Sequence, residues 1–355
     1  MSARATARLP LYLAVVYTLL ALYGSLFPFS GWRTTGADPF AFLAAAWPRY
    51  YTDFDLVANA AAYLPLGFLW VAVLAARLPA LAALALALLG CGLFSFGVEY
   101  GQNFLPGRVP SNLDFACNLA GACLGALAGL RWGTQLLDGG RLHAWRESHF
   151  LGGTDGDRGL VLLALWWLTQ LNPETFLFGN GNLRALLGLP AALEFEAGQF
   201  FEMEMITVTA HTLAVGLIAG RLARNRPVLL PCAVIGAALL VKSFALLVLM
   251  QGSHGLGWLT PGAAAGLLLG MALWAGALKL GLAQRQALAA LVLMLATALA
   301  NLMPDNPYLK ESLRVWQQGH FLNFNGLTRL VSSLWPFLAL SWLMLARRTN
   351  ERCPP

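Results

Sequence analysis

The stretch ALAALALALLGCGLFSFGVEYGQN, residues 80–103, decides the fold. It carries no charge before Glu99. At about 1.5 Å per residue, roughly 20 apolar residues cross a hydrocarbon core as a helix. A membrane-barrel strand alternates apolar and polar residues, and this solid Ala/Leu run does not. Similar blocks recur, so ten helices are expected near 10–28, 55–76, 80–103, 112–132, 159–173, 203–222, 228–250, 258–280, 286–303 and 325–346. The first is Tyr-rich and has no small-residue cleavage site before Ser25, which reads as a retained helix rather than a signal peptide. Of 355 residues, 58% are hydrophobic and 11% charged, against about 25% charged in a soluble domain. That excludes a soluble globular, disordered or disulfide-rich secreted chain. The expectation is an all-α, polytopic integral membrane protein in contact with membrane lipids.

The charges sort by face. Fifteen Lys and Arg against five acids fall on one side of the expected helices, six against twelve on the other, and Lys242 and Arg329 lie inside helices. The positive-inside bias therefore places both termini in the cytoplasm. The net +6 is a topology signal, with no nucleic-acid partner implied. Cys91, Cys117, Cys123 and Cys232 sit in helices as small apolar residues, Cys353 sits in the tail, and no CxxC or Cys/His cluster points to a cofactor. Residues 133–158 read as a cytoplasmic linker between a membrane domain, 1–132, and a six-helix extension, 159–355.

A degraded repeat shows through. LYGSLFPFSGW (22–32), LTQLNPETF (168–176) and LANLMPDNPY (299–308) each end a helix on a proline. Ser95-Phe96 has a counterpart in Ser243-Phe244, and Gly121-x-x-x-Gly125 in Gly266-x-x-x-Gly270. The pattern is four helices, four helices and a two-helix remnant. Its second outward hairpin, 249–266, has no charge, which directs chemistry to the first four helices.

There, TDFDLVANAAAYLPLGF (52–68) puts Asp55 and Asn59 on one helical face, with Pro65 breaking a backbone bond further along. Glu99 and Gln102 share a face of the next helix. Arg108 follows the Pro106-Gly107 turn, and Asp114 and Asn118 repeat the D-x-x-x-N spacing. For each aspartate the alternative is helix capping, since Thr52-x-x-Asp55 and Ser111-x-x-Asp114 fit a capping box. For Asn59 and Asn118 it is interhelical hydrogen bonding. For Glu99 and Arg108 it is an ion pair pinning the hairpin. The functional reading has Arg108 holding an anion, Glu99 and Asp114 as acid/base groups, and Asp55, Asn59, Gln102 and Asn118 as ligand-binding groups. Three oxygen donors, Asp55, Glu99 and Asp114, would suit Mg²⁺, although no metal motif supports it.

N-x(5)-P-L-G-F in Asn59–Phe68, E-x-x-Q-x(5)-R in Glu99–Arg108 and D-x-x-x-N-x-x-G-x-x-x-G in Asp114–Gly125 resemble the VanZ-like membrane protein family over roughly residues 10–130. The resemblance implies a bacterial cytoplasmic membrane and a role in the cell envelope. The family's founding member is associated with reduced susceptibility to the glycopeptide teicoplanin, and no biochemical activity is carried over. An anionic lipid-linked or glycan-related ligand suits the residues. A transporter and a non-catalytic scaffold of an envelope assembly are the alternatives. Residues 159–355 carry no resemblance.

Elsewhere the structural readings lead. Glu194, Glu196, Glu202 and Glu204 read as a solvated segment, and Lys242 and Arg329 as cations that pair with those acids or snorkel. His211 reads as a satisfied helix histidine. Trp166, Trp167, Trp258, Trp316, Trp335 and Trp342 read as an interfacial belt.

Overall fold

In the computed structural model, which describes residues 8–34, 36, 38–249, 255–305 and 322–350, the apolar blocks are helices, and no strand longer than a single bridge pair forms among these residues. Arg4, Lys310, Arg314, Trp316, Arg352 and Cys353 lie outside the described residues, as do parts of the 249–266 and 299–308 segments. The chain divides into two units, Met1–Glu147 and Ser148–Pro355.

The first unit holds α1 (Leu9–Leu26), a short α2 (Ala41–Ala44), α3 (Asp53–Ala75), α4 (Ala80–Gln102) and α5 (Asn112–Thr134). A π-helical turn, Gln135–Gly139, and α6 (Arg141–His149) follow, so most of residues 133–158 are helical. The second unit holds α7 (Gly153–Thr169), a short α8 (Leu183–Leu186), α9 (Ala197–Leu222), α10 (Leu229–Leu249), α11 (Pro261–Ala277), α12 (Leu282–Leu302) and α13 (Leu322–Asn350).

All ten expected long helices are present. Eight of them (α1, α3, α4, α5, α9, α10, α12 and α13) are long and apolar enough to cross a membrane, which makes this a multi-pass membrane protein. The other two, α7 and α11, have 17 residues each. A rise of about 26 Å is short of a hydrocarbon core of about 30 Å, so ten spans are not established.

The element order of the first unit recurs in the second as a long helix, a loop bearing a short helix, then three long helices. The packing recurs with it. Helix α5 lays Gly121, Gly125, Gly129 and Gly133 along α3; a Cβ at Gly121 or Gly125 would overlap the carbonyl of Ala60 or Leu64, and one at Gly129 would stand 2.7 Å from that of Phe68. From the other side, a Cβ on Gly67 would overlap the carbonyl of Ala122. Helix α11 repeats the device against α9. There a Cβ on Gly262, Gly266 or Gly270 would meet the carbonyl oxygens of Phe201, Met205 and Thr209 at 3.0, 2.6 and 2.9 Å. Each stripe steps by four residues on both partners, one helical turn at a time. Lipid tails are as apolar as leucine, so helices gain little by hiding from them, and close backbone approach through small residues supplies the association instead.

The tryptophan belt is overturned for three residues. Trp166 and Trp335 are fully buried, their rings 6.5 Å apart between α7 and α13, and Trp342 is buried beside them. The indole N–H of Trp335 donates to the Leu162 carbonyl (2.8 Å) and that of Trp342 to Asp155 (2.9 Å). An indole whose single donor finds a carbonyl partner loses its reason to stay at a wet interface; that accounts for Trp335 and Trp342, whereas the buried Trp166 Nε1 has no partner among the described residues.

The glycine stripe makes a direct prediction. Gly125→Leu should destabilise the first unit by about 3 kcal/mol or more, because the helix axes must move apart. Gly97→Ala, where an added Cβ meets nothing within 4 Å, should be neutral or slightly stabilising. Thermal unfolding in detergent compares the two; equal melting temperatures would remove the stripe from the account.

Candidate functional site

The sequence-marked residues gather where α3 and α5 begin and α4 ends. Thr52 caps α3: its Oγ1 accepts from the Asp55 backbone N–H (3.2 Å), while its own N–H and hydroxyl donate to Asp55 Oδ2 (3.2 and 2.6 Å). Asp55 therefore has the capping role that the local sequence allowed. Ser111 caps α5, its Oγ accepting from the N–H groups of Leu113 and Asp114. Asp114 does not close a reciprocal box. The Ser111 N–H instead donates to Glu99 Oε2 at 2.9 Å.

Glu99 thus supplies from α4 the acceptor that a capping box would supply locally, and it is only 2% exposed. Arg108 interacts electrostatically with Glu99 and donates through Nη2 to the Phe27 carbonyl (3.3 Å). Burial lowers the pKa of the Arg108 guanidinium, and the Glu99 charge opposes that shift. Gln102 donates to the Ser25 carbonyl (3.0 Å). Asp114 hydrogen-bonds the Asn59 side chain and lies within electrostatic reach of both Asp55 and Glu99. Asn118, one turn further along α5, is buried and donates to Ser95 Oγ (3.0 Å). Tyr63, which nothing in the motif spacing marked, buries its hydroxyl near the same Ser95, and the Asn118 carbonyl oxygen has no hydrogen-bond partner among the described residues.

Six of the seven residues therefore share one end of the helices: Asp114 links Asp55, Asn59 and Glu99, Arg108 acts on Glu99, and Gln102 bonds the end of α1. Asp55, Glu99 and Asp114 do not form a metal cage: among the described residues no group of three His, Cys, Asp or Glu side chains could hold a metal ion.

The second unit answers the question of the intramembrane cations. Residues 170–182 run from α7 to α8 without helix, yet Gln170, Asn172 and Leu177–Gly181 are buried. Irregular backbone tolerates that depth only where protein satisfies it. Lys242 Nζ donates to the carbonyls of Asn172 (2.6 Å) and Thr175 (2.7 Å). His211 Nε2 faces the N–H and carbonyl of Asn180, both at 3.1 Å, while Nδ1 faces the Thr207 carbonyl. Asn301 clamps the loop's far end, donating to Gly181 O (2.7 Å) and accepting from the Arg184 N–H (3.0 Å). Arg329 pairs with Glu174 (2.7 Å), whose other oxygen accepts from Asn325 (2.9 Å).

The expectation that Lys242 and Arg329 neutralise the 194–204 acids is thereby corrected. Both cations instead bond the loop after α7. Glu194, Glu196 and Glu202 are exposed, and Glu204 is buried, accepting from the Thr260 hydroxyl (2.8 Å). The two units also share a contact invisible in sequence. An X-Pro follows each of α1 and α7 (Phe27-Pro28 directly, Asn172-Pro173 three residues on), and a cation takes the carbonyl of X: Arg108 that of Phe27, Lys242 that of Asn172.

Residues 11–132 match the VanZ/LLP1 family, which confirms the resemblance of the N-terminal third. No curated protein and no solved structure matches the chain.

Asn301→Leu should lower stability by about 2–4 kcal/mol, because the Gly181 carbonyl and Arg184 N–H lose their partner at roughly 1–3 kcal/mol each. Thermal melts in detergent, with limited proteolysis at residues 170–190 as a local readout, check this. An unchanged melt and cleavage pattern would count against the clamp.

Proposed function

We propose that the VanZ-like N-terminal unit sits in the bacterial cytoplasmic membrane with both termini inside. There it binds an anionic head group of a lipid-linked or glycan-bearing envelope precursor at the outer ends of α3–α5. The supporting observation is the placement of Glu99 and Arg108: a carboxylate buried in a spanning helix within electrostatic reach of a half-buried guanidinium, the carboxylate accepting from the N-cap of α5. A charge in a spanning helix costs at least about 2.5–3.5 kcal/mol at mid-membrane, somewhat less near the rim, and normally marks a functional site. In this reading Arg108 meets the anion with its planar fork, aided by the positive end of the α5 dipole. Glu99 and Asp114 hold or move a proton at their carboxylate oxygens, and Asp55, Asn59, Gln102 and Asn118 fix the geometry. Altered glycopeptide susceptibility would follow from capture of such a precursor.

A scaffold reading has its own support, because Glu99, Arg108, Gln102 and Asn118 each already bond another segment of the chain. The two readings separate on Glu99→Gln and Arg108→Ala. On the binding reading, cells carrying either variant at normal membrane levels lose the envelope phenotype, scored as teicoplanin susceptibility, while the melting temperature of Glu99→Gln falls by only a few degrees. If both variants insert normally and susceptibility matches that of the parent, the binding reading is lost. A large drop in melting temperature without any loss of phenotype would leave the scaffold.

A further inference from the structure

Where α9 and α11 end and α12 begins, the second unit walls off a small cavity. Four of its lining side chains each bury a donor that has no hydrogen-bond partner among the described residues: Arg221 Nε, Trp274 Nε1, Arg285 Nε and Gln286 Nε2. Trp274 is 2% exposed and Gln286 9%. Buried donors are seldom left unmet in folded proteins, and here four share one wall. The indole is seated on Gly216, where an added Cβ would stand 2.7 Å from its Cδ1 and 3.1 Å from its Nε1. Glycine, alanine and leucine make up the rest of the lining, so its one side-chain acceptor is Oε1 of Gln286 itself. Charge is as one-sided as the donors. From residue 205 to residue 304 the chain has six Lys or Arg and no acid. Arg221 lies 5.2 Å from the Trp342 ring centroid and within electrostatic reach of Asp155 on α7. Arg285 has no ion pair among the described residues.

We propose that this cavity binds a phosphoryl group, supplied by a lipid head group or by free phosphate. A wall of donors with two guanidiniums selects an anion. Water is the competing occupant and suits the wall poorly. It accepts two hydrogen bonds at most, and its own hydrogens meet a wall short of acceptors. The enclosed space is about 10 Å³, against roughly 10–15 Å³ for one water, so a single phosphoryl oxygen enters. The remaining oxygens stay at the mouth, beside the exposed Leu282. Guanidinium forks match the paired oxygens of phosphate. Depth favours phosphate over carboxylate, because the ends of spanning helices reach the head-group layer, where basic pockets between helices hold lipid phosphates. This site is independent of the Glu99–Arg108 reading, because the residues of each belong to different units.

The test uses the delipidated full chain in a maltoside detergent, which carries no phosphate. Its melting temperature is followed as each probe is added: dioleoyl phosphatidylglycerol, dioleoylglycerol, and inorganic phosphate, acetate and chloride at equal ionic strength. A ligand bound by the folded state raises the melting temperature with concentration. A saturable rise is expected with at least one of the two phosphoryl probes, and none with dioleoylglycerol, acetate or chloride. A rise with phosphatidylglycerol alone assigns the lipid as the source, and one with inorganic phosphate assigns the free ion. Gln286→Leu removes an unmet donor, so without a probe it should melt no lower than the parent. Its apparent Kd should nevertheless rise about tenfold or more, the scale of one hydrogen bond to a charged group. Arg285→Met, at a half-buried position, should show the same loss and carries the comparison if Gln286→Leu does not fold. Glu99→Gln should leave the response unchanged, so a failure in the first unit is distinguishable from a failure here. The proposal is overturned if neither phosphoryl probe raises the melting temperature, if dioleoylglycerol, acetate or chloride raises it as much, or if the folded variants retain the parental Kd.

Discussion

In a hydrocarbon medium a peptide group has no water to turn to, and most of this structure follows from that constraint. Helices satisfy it within themselves, so the apolar blocks become helices. The difficulty moves to where helices stop. Helix α1 stops at Leu26 and α7 at Thr169, and each is followed by a stretch without helix that runs through an X-Pro, Phe27-Pro28 or Asn172-Pro173. In both cases a side chain from the later hairpin takes the freed carbonyl: Arg108 for Phe27, Lys242 for Asn172. In the second unit His211, Asn301 and Ser332 add further partners to the loop. The rare polar residues inside helices are thus explained chiefly by backbone they satisfy at a distance.

Close backbone packing is the second consequence. With little hydrophobic drive between helices in lipid, α3 with α5 and α9 with α11 meet through glycines set four apart. The same kind of contact occurs in both units, alongside the recurring element order and a cation on the carbonyl that precedes a proline. The units differ in what they do with the remaining polarity. The first concentrates acids and amides where α3 and α5 begin. The second sets Arg184 against Asp305 and Arg329 against Glu174 around the loop that follows α7.

Much of this was legible residue by residue. The ten helices, the capping role of Thr52 with Asp55, and the Gly121 and Gly266 pairs follow local rules of spacing. The satisfied state of His211 was also anticipated, from how rarely a helix histidine serves as a relay. Other features were not legible because their partners are remote in the chain. Glu99 accepts from Ser111 across a turn of unmarked geometry, and Arg329 reaches Glu174, 155 positions away. The tryptophans misled for a related reason. Position near a helix end suggested an interface, whereas indole donors on α13 had found carbonyls on α7.

The sequence by itself determined the solvent of this protein, its helical class, the approximate helix limits and the family of its first third. Each of these depends on composition or on spacing within a few residues. Only the tertiary structure decided which carboxylate meets which cation, which glycines touch, and which side chains satisfy the buried loop after α7. Such pairings join residues far apart in the chain, and no local periodicity encodes which backbone carbonyl will need a donor once the helices have packed.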